Sequence, residues 1–331
     1  MKNKPRGLIA IFCVAVFLCS GCAERSAESP LQEEDGLYIQ TANERTWLDH
    51  ELEEEPFIST EHEAMLNPAR LVLQGDTVYV LDLGDMRIKQ FDADGTKVQA
   101  IGEGRGQGPG EVIQVSDLHV SDNAIWVPDS QTGQLSQFSL NGDFVERYAL
   151  DGHLVRIAGT GRRVLVQAIG TPMPFHLVRP DGTKERQFGE RFSEIDPTGM
   201  ATHGHLAMHK NTFIFAPQYA GRLFFITEEG SIERVVATLD GHDFPEAERT
   251  DQGAHAPDAP VQTSGISVHD GLVYLQTYQE DAEAWYIDRY DADTGAYLDT
   301  IRFPWEIKDL QVNGDGMYAL SGTGVFRFEA P

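Results

Sequence analysis

Cysteine is nearly missing from the 331-residue chain: Cys13, Cys19 and Cys22, its three copies, all fall within the first 22 positions. The remainder carries no thiol for a disulfide, a thiolate metal centre or a cysteine nucleophile, which excludes several enzyme classes together. Positive charge is also scarce. Asp and Glu number 52 against 26 Lys and Arg, giving a formal charge of −26. Such a field repels nucleic acid and anionic headgroups, so no nucleic-acid partner is expected, and cations, neutral ligands or basic partners are favoured. What is present suits a folded body. Hydrophobic residues make up 41% of the chain, enough for a core, and the 32 Gly and 16 Pro imply many turns rather than long helices. The length fits two average domains or one large all-β domain.

The first residues read as an address. Lys2, Lys4 and Arg6 precede a continuous apolar run over 7–18, which has the length of a secretory signal and is too short to span a bilayer. The run ends in Leu18-Cys19-Ser20-Gly21-Cys22, which resembles the bacterial lipobox, although Cys19 stands where the lipobox prefers Leu. That resemblance implies a signal peptide over 1–22, lipid attachment at Cys22 and a membrane-anchored product. Ala23 replaces the Asp that marks inner-membrane retention, so an outer-membrane location is expected. Residues 23–36 are polar and acidic and read as a flexible tether, followed by a single domain over 37–331. Losing the basic signal leaves the body more negative still, so the lipid must supply the membrane hold.

The body repeats. Leu71-Val72-Leu73 aligns with Leu118-His119-Val120, and the same offset of 47 places Val80-Leu81-Asp82 on Val127-Pro128-Asp129, Phe91 on Phe138 and Gly95 on Gly142. Each unit holds four short β-like runs separated by turn residues. Weaker copies cover about 154–188, 205–236 and 265–301, and a sixth, over 307–328, has only three runs. This predicts an all-β, six-bladed propeller of four-stranded antiparallel blades, closed by an N-terminal strand. Leu37-Tyr38-Ile39-Gln40 and Arg45-Thr46-Trp47-Leu48 are the two candidates for that strand. Trp126, Trp285, Trp305, Phe91, Phe138 and Tyr290 are expected between blades.

The stretch from Val78 to Tyr148 resembles NHL-type repeats and the six-bladed propeller lipoproteins of Bacteroidetes-like bacteria. The likeness is carried by Val78-Tyr79-Val80-Leu81-Asp82, by the run Arg87-Ile88-Lys89-Gln90-Phe91-Asp92-Ala93-Asp94-Gly95, and by Gly106-Gln107-Gly108-Pro109-Gly110-Glu111. It is strong over two blades and faint beyond. The expected Pro after Gly-Glu is replaced by Val112-Ile113-Gln114. The resemblance implies fold and location, but no particular activity.

In a four-stranded meander the a–b and c–d turns share one face of the disc, and the b–c and d–a connections share the other. The first set is short Gly/Asn/Asp hairpin chemistry. The long connections, 102–114, 189–204, 240–264 and 277–284, all fall in the second set, which is where ligand contact is expected. On that face the candidate ligand-binding residues are Arg105 and Gln107 in the Gly-rich loop, Asp82 and Asp129 at b–c turns, and His203 and His205. The Gly-rich loop lacks Gly-Lys-Ser/Thr and opens no helix, so it is an inter-blade loop rather than a phosphate cradle. His205 and His209 would lie about 13 Å apart on one strand, too far to share an ion. The aspartates also suit turn capping. No catalytic set, metal site or cofactor is assigned; Ca²⁺ is the ion that hard oxygen ligands of the acidic turns would take. Asp boxes, Trp-Asp repeat ends and a Gly-x-Ser-x-Gly elbow are absent.

These features point to a monomeric, non-enzymatic binding or scaffolding lipoprotein for a protein, peptide or glycan partner. A metal-assisted hydrolase or lyase of the propeller lactonase kind and a solute-capturing component of an uptake system are the alternatives. The anchor is directly testable: replacing Cys22 with Ser abolishes incorporation of labelled palmitate in the bacterial host and releases the protein from the membrane fraction.

Overall fold

The computed structural model describes residues 29–49, 52–59, 65–246, 248–250, 253–255, 258–279 and 284–331. Cys22 and the signal segment lie outside the described residues. Six four-stranded antiparallel sheets follow one another along the chain. Blade 1 comprises strands a to d at Pro68–Gln74, Thr77–Asp82, Arg87–Phe91 and Lys97–Ile101. Blade 2 runs from His119–Val120 to Phe144–Ala149, and blade 3 from His153–Gly159 to Lys184–Phe188. Blade 4 runs from Gly204–His209 to Ile232–Ala237, and blade 5 from Gly265–His269 to Tyr297–Phe303. The repeat read from the sequence is thus the blade, and its copies fall where expected.

The strands form because short apolar runs are punctuated by residues that turn the chain. Gly95, Gly142, Gly182, Gly230 and Gly295 occupy the same c–d turn in five blades, with φ from 75 to 90°, a region that only glycine enters freely. Central strands are buried on both faces, since each blade packs against two others. Val78, Tyr79, Val80 and Leu81 are all buried, so the run reads as continuously apolar rather than alternating. Trp126, Phe91, Phe138 and Tyr290 fill blade interfaces, with Trp285 and Trp305 partly buried against the cluster around Phe303 and Phe328. The long connection before blade 4 contains a short helix, Glu190–Ile195, whose Phe192 inserts among Phe175, Phe215 and Phe224 at ring separations of 5.0–5.5 Å.

Blade 6 shows how the ring closes. Its three C-terminal strands, Asp309–Asn313, Gly316–Leu320 and Gly324–Phe328, receive a fourth from the N-terminal side, Glu55–Ser59. Neither strand expected from the sequence takes this role. Leu37–Gln40 pairs in parallel with the outer strand of blade 4, Tyr38 opposite Val236, after turning through Asp35 and Gly36 from Leu31–Glu34. Trp47 bridges to Thr300 on the outer strand of blade 5. The physical reason is chain length. The closing strand must hand over to strand a of blade 1 through an ordinary inter-blade connection, and Ser59 is close enough to Pro68 in sequence to do so. The earlier segments instead cover outer sheet edges that would otherwise stand unpaired. The same hairpin shortens the expected tether over 23–36, because Leu31–Glu34 is a strand paired to the body.

Glu55 also pairs with Arg327 at 2.5 Å, and Phe57 packs edge-on to Tyr318 at 5.2 Å. A Cβ at Gly324 would strike the Ile58 carbonyl across this seam. Gly324→Ala is expected to destabilise the protein by about 1–3 kcal/mol, read as a lower urea midpoint. An unchanged midpoint would mean that the seam is not held this tightly.

Candidate functional site

The six inner strands surround a central channel and present the same position to it. The repeat register places Arg70, Asp117, Arg156, His205, Gly265 and Asp309 at one matched position in blades 1 to 6. The next residue in each, from Leu71 to Leu310, turns into a blade interface and is buried. One step further the channel meets Val72, His119, Ala158, Ala207, Ser267 and Gln311. Two stacked layers result, the first charged and the second mostly small or neutral.

The charged layer forms a floor. Arg70 stands beside both carboxylates, 3.5 Å from Asp309 and 3.7 Å from Asp117, and reaches across the ring to donate to Nδ1 of His205 at 3.3 Å. Each carboxylate also stitches its blade to the next. Asp309 accepts from the Leu71 and Leu310 N–H groups at 2.7 and 3.0 Å, and Asp117 accepts from those of Leu118 and Ile157 at 3.0 Å each. Arg156 is different. No carboxylate lies within ion-pair distance of it among the described residues; its Nη1 donates to the Val155 carbonyl at 2.8 Å, and its buried Nε has no hydrogen-bond partner.

Above this floor lies a cavity of about 450 Å³, within the range typical of small-molecule sites. Its lining rises along the inner strands to the a–b turns at Gln74, Asp122 and Thr160. No described residue of the 102–114, 189–204 or 240–264 connections lines it. The mouth is therefore on the short-turn face, opposite the face on which ligand contact was expected.

Residues 56–288 match the family described as a 6-bladed beta-propeller. The chain belongs to that family. No curated protein matches this propeller. Among solved structures it is similar to a protein described as exported, from Bacteroides fragilis, with a TM-score of 0.59 and 13% identity over 86% of this chain and 87% of that one. A Bacteroides thetaiotaomicron protein of unknown function aligns at 0.55 and 13% identity, over 84% and 76%. A catalytically inactive virginiamycin B lyase of Staphylococcus aureus, solved with quinupristin, aligns at 0.54 and 14%, over 84% and 98%. At these identities what the propellers share is the fold.

Of the six candidate residues on this propeller, only His205 lines the cavity. Asp82 is spent on backbone: it accepts from Leu66 and Asn67 at 2.8 Å and from Gly84 at 2.9 Å. Asp129 does the same one blade on, accepting from Ile113 at 2.7 Å and Gln131 at 3.0 Å. Both staple an incoming connection to a b–c turn, which is the capping role. Arg105 donates to the Ile113 carbonyl at 2.7 Å, and the Gln107 carbonyl accepts from Arg147 at 3.1 Å, so the Gly-rich loop is tied to itself and to the outer strand of blade 2. His203 hydrogen-bonds the Met200 carbonyl at 2.7 Å. His209 lies at the far end of its strand, 3.2 Å from Asp293, as its spacing required. Among the described residues no three His, Cys, Asp or Glu side chains gather to hold a metal.

Arg70, Asp117, Arg156 and Asp309 were not singled out from the sequence. The available signal was the repeat register itself, since this matched position is polar in five blades of six.

Burial sets the charge states here. It pulls the His119 imidazole down to about 4 and the Arg156 guanidinium down to about 10, the latter helped by the like charge of Arg70. Burial raises the Asp309 carboxyl to about 6, against the opposing pull of Arg70 and the Leu71 N–H. His205 is held well below its ordinary value by burial and then by the charges of Arg156 and Arg70. The signs differ. Between pH 6.5 and 4 the unfolded chain protonates His119 while the folded chain does not, so stability falls as pH drops, by up to about 3 kcal/mol. Asp309 acts oppositely, because the folded state takes its proton first and loses that advantage as pH rises from about 4 through 6. With His119 and His205 together outweighing Asp309, the urea midpoint should fall between pH 7 and 5, and His119→Gln should flatten that fall. An equal slope in the variant would show that His119 titrates normally.

Proposed function

We propose that the protein is an exported, lipid-anchored binding module that seats its ligand in the central channel, entering from the short-turn face. The observation that carries this reading is a cavity of about 450 Å³ closed at one end by an ordered layer of charged side chains. A space of that size takes a small molecule, or the end of a glycan or peptide, rather than a folded partner. Holding fits the floor better than turnover. Both carboxylates are engaged by backbone N–H groups, and Nδ1 of His205 already accepts from Arg70, so neither stands ready as a general base. Solute capture is one form this activity would take. The outer-membrane address rests on the lipobox-like Ser20-Gly21-Cys22 and Ala23 alone, while the similarity to a Bacteroides protein described as exported supports the coarser reading of export.

The test separates the two faces. The full chain is titrated with the low-molecular-weight fraction of an envelope extract while its unfolding is followed. A ligand at 100 times its Kd adds about 2.7 kcal/mol of stability. Ala207→Phe, which fills the channel, should abolish the gain, and Arg105→Ala on the long-loop face should leave it intact. The reverse pattern would sink the proposal and return recognition to the long loops.

A further inference from the structure

Building on the channel reading above, we infer that the floor is a carboxylate-binding site whose anchoring cation is Arg156. Four donors and acceptors at the floor are already matched. Arg70 serves Asp117, Asp309, the Ser116 carbonyl and His205, and each aspartate has two backbone N–H donors besides. The carboxylate charges are therefore met without Arg156. Its own charge faces a cavity, with a buried Nε–H that has no acceptor. Arginine is seldom buried without a partner, and a buried donor left empty costs free energy.

His205 beside it is already engaged. Because a guanidinium only donates, Nδ1 of His205 must accept from Arg70, which leaves the ring proton on Nε2. That Nε2 is buried, and the Thr263 carbonyl lies beside the ring. A guanidinium that lines the cavity with no carboxylate in ion-pair reach calls for an oxygen acceptor carrying negative charge. The class is narrowed by what surrounds it. Asp117 and Asp309 line the same floor and would repel a doubly charged phosphate, whereas a planar monoanion answers one unpaired guanidinium with matching geometry. Above the floor, Ala158 and Ala207 on the adjacent blades 3 and 4 offer a short apolar wall, with Gln311 of blade 6 across the channel from Ala158. The ligand is thus a small organic monocarboxylate with a short body.

The inference is tested with butyrate and glycolate as probes on the full chain in mild detergent, against chloride and phosphate at matched ionic strength and pH 7. Either carboxylate should raise the unfolding midpoint by about 2–4 °C over chloride, with phosphate giving no more than chloride. Arg156→Gln should lose that rise entirely, yet unfold no lower than the wild type without ligand, because it removes a buried, unpaired charge. A purely structural role for Arg156 predicts the opposite, a lower midpoint with the carboxylate effect retained. If the variant fails to fold, the wild-type comparison of carboxylate with chloride still decides. A wild type blind to both carboxylates, or a greater effect of phosphate, overturns the assignment. Channel binding as such stands or falls separately, on whether Ala207→Phe abolishes stabilisation by the envelope fraction.

Discussion

Pairing between Glu55–Ser59 and Gly324–Phe328 brings strands 265 or more positions apart in sequence into one sheet, and the channel depends on it. Six blades packed side by side are only an arc until that seam forms. With the seam in place, the inner strands of blades 6 and 1 become neighbours, and Asp309 can reach the Leu71 N–H and Arg70. The floor of the cavity is thus a product of closure. A loosened seam would separate the very residues that define the site, which couples global stability to binding more tightly than in a protein whose pocket lies within one contiguous unit.

Closure also explains how so acidic a chain keeps a charge-balanced centre. The negative charge resides mainly on turns and outer strands, where water screens it. At the floor, two aspartates are neutralised by one arginine and four backbone N–H groups, and a second arginine is left over. The inferred carboxylate site rests on that one guanidinium, in a protein that as a whole repels anions. A ligand reaching it passes a rim where Gln74 and Asp122 are joined across blades 1 and 2, and recognition rests on short-range contacts rather than long-range attraction.

Much of the fold was legible because it is written locally. Turn glycines recur at one position, apolar runs recur at a fixed offset, and a sixth unit with three strands announces a borrowed fourth. Which strand is borrowed was less visible: Leu37–Gln40 and Trp47 have stronger β character than Glu55-Pro56-Phe57-Ile58, and only connection length distinguishes them. The site was less legible still. Long loops drew attention to Arg105, Gln107 and His203, and acidic turns to Asp82 and Asp129, yet these side chains or their backbones serve to fold the connections. The residues that meet in the channel are ordinary members of inner strands. Arg70 and Asp309 are 239 positions apart, and nothing local to either says that they touch.

The N-terminal hairpin has a bearing on how the molecule stands. Leu31–Glu34 lies two strands beyond the outermost strand of blade 4, on the circumference of the disc rather than on either face. A lipid on Cys22, nine positions before Leu31 in sequence, would therefore attach at the rim of the disc rather than on the face where the channel opens.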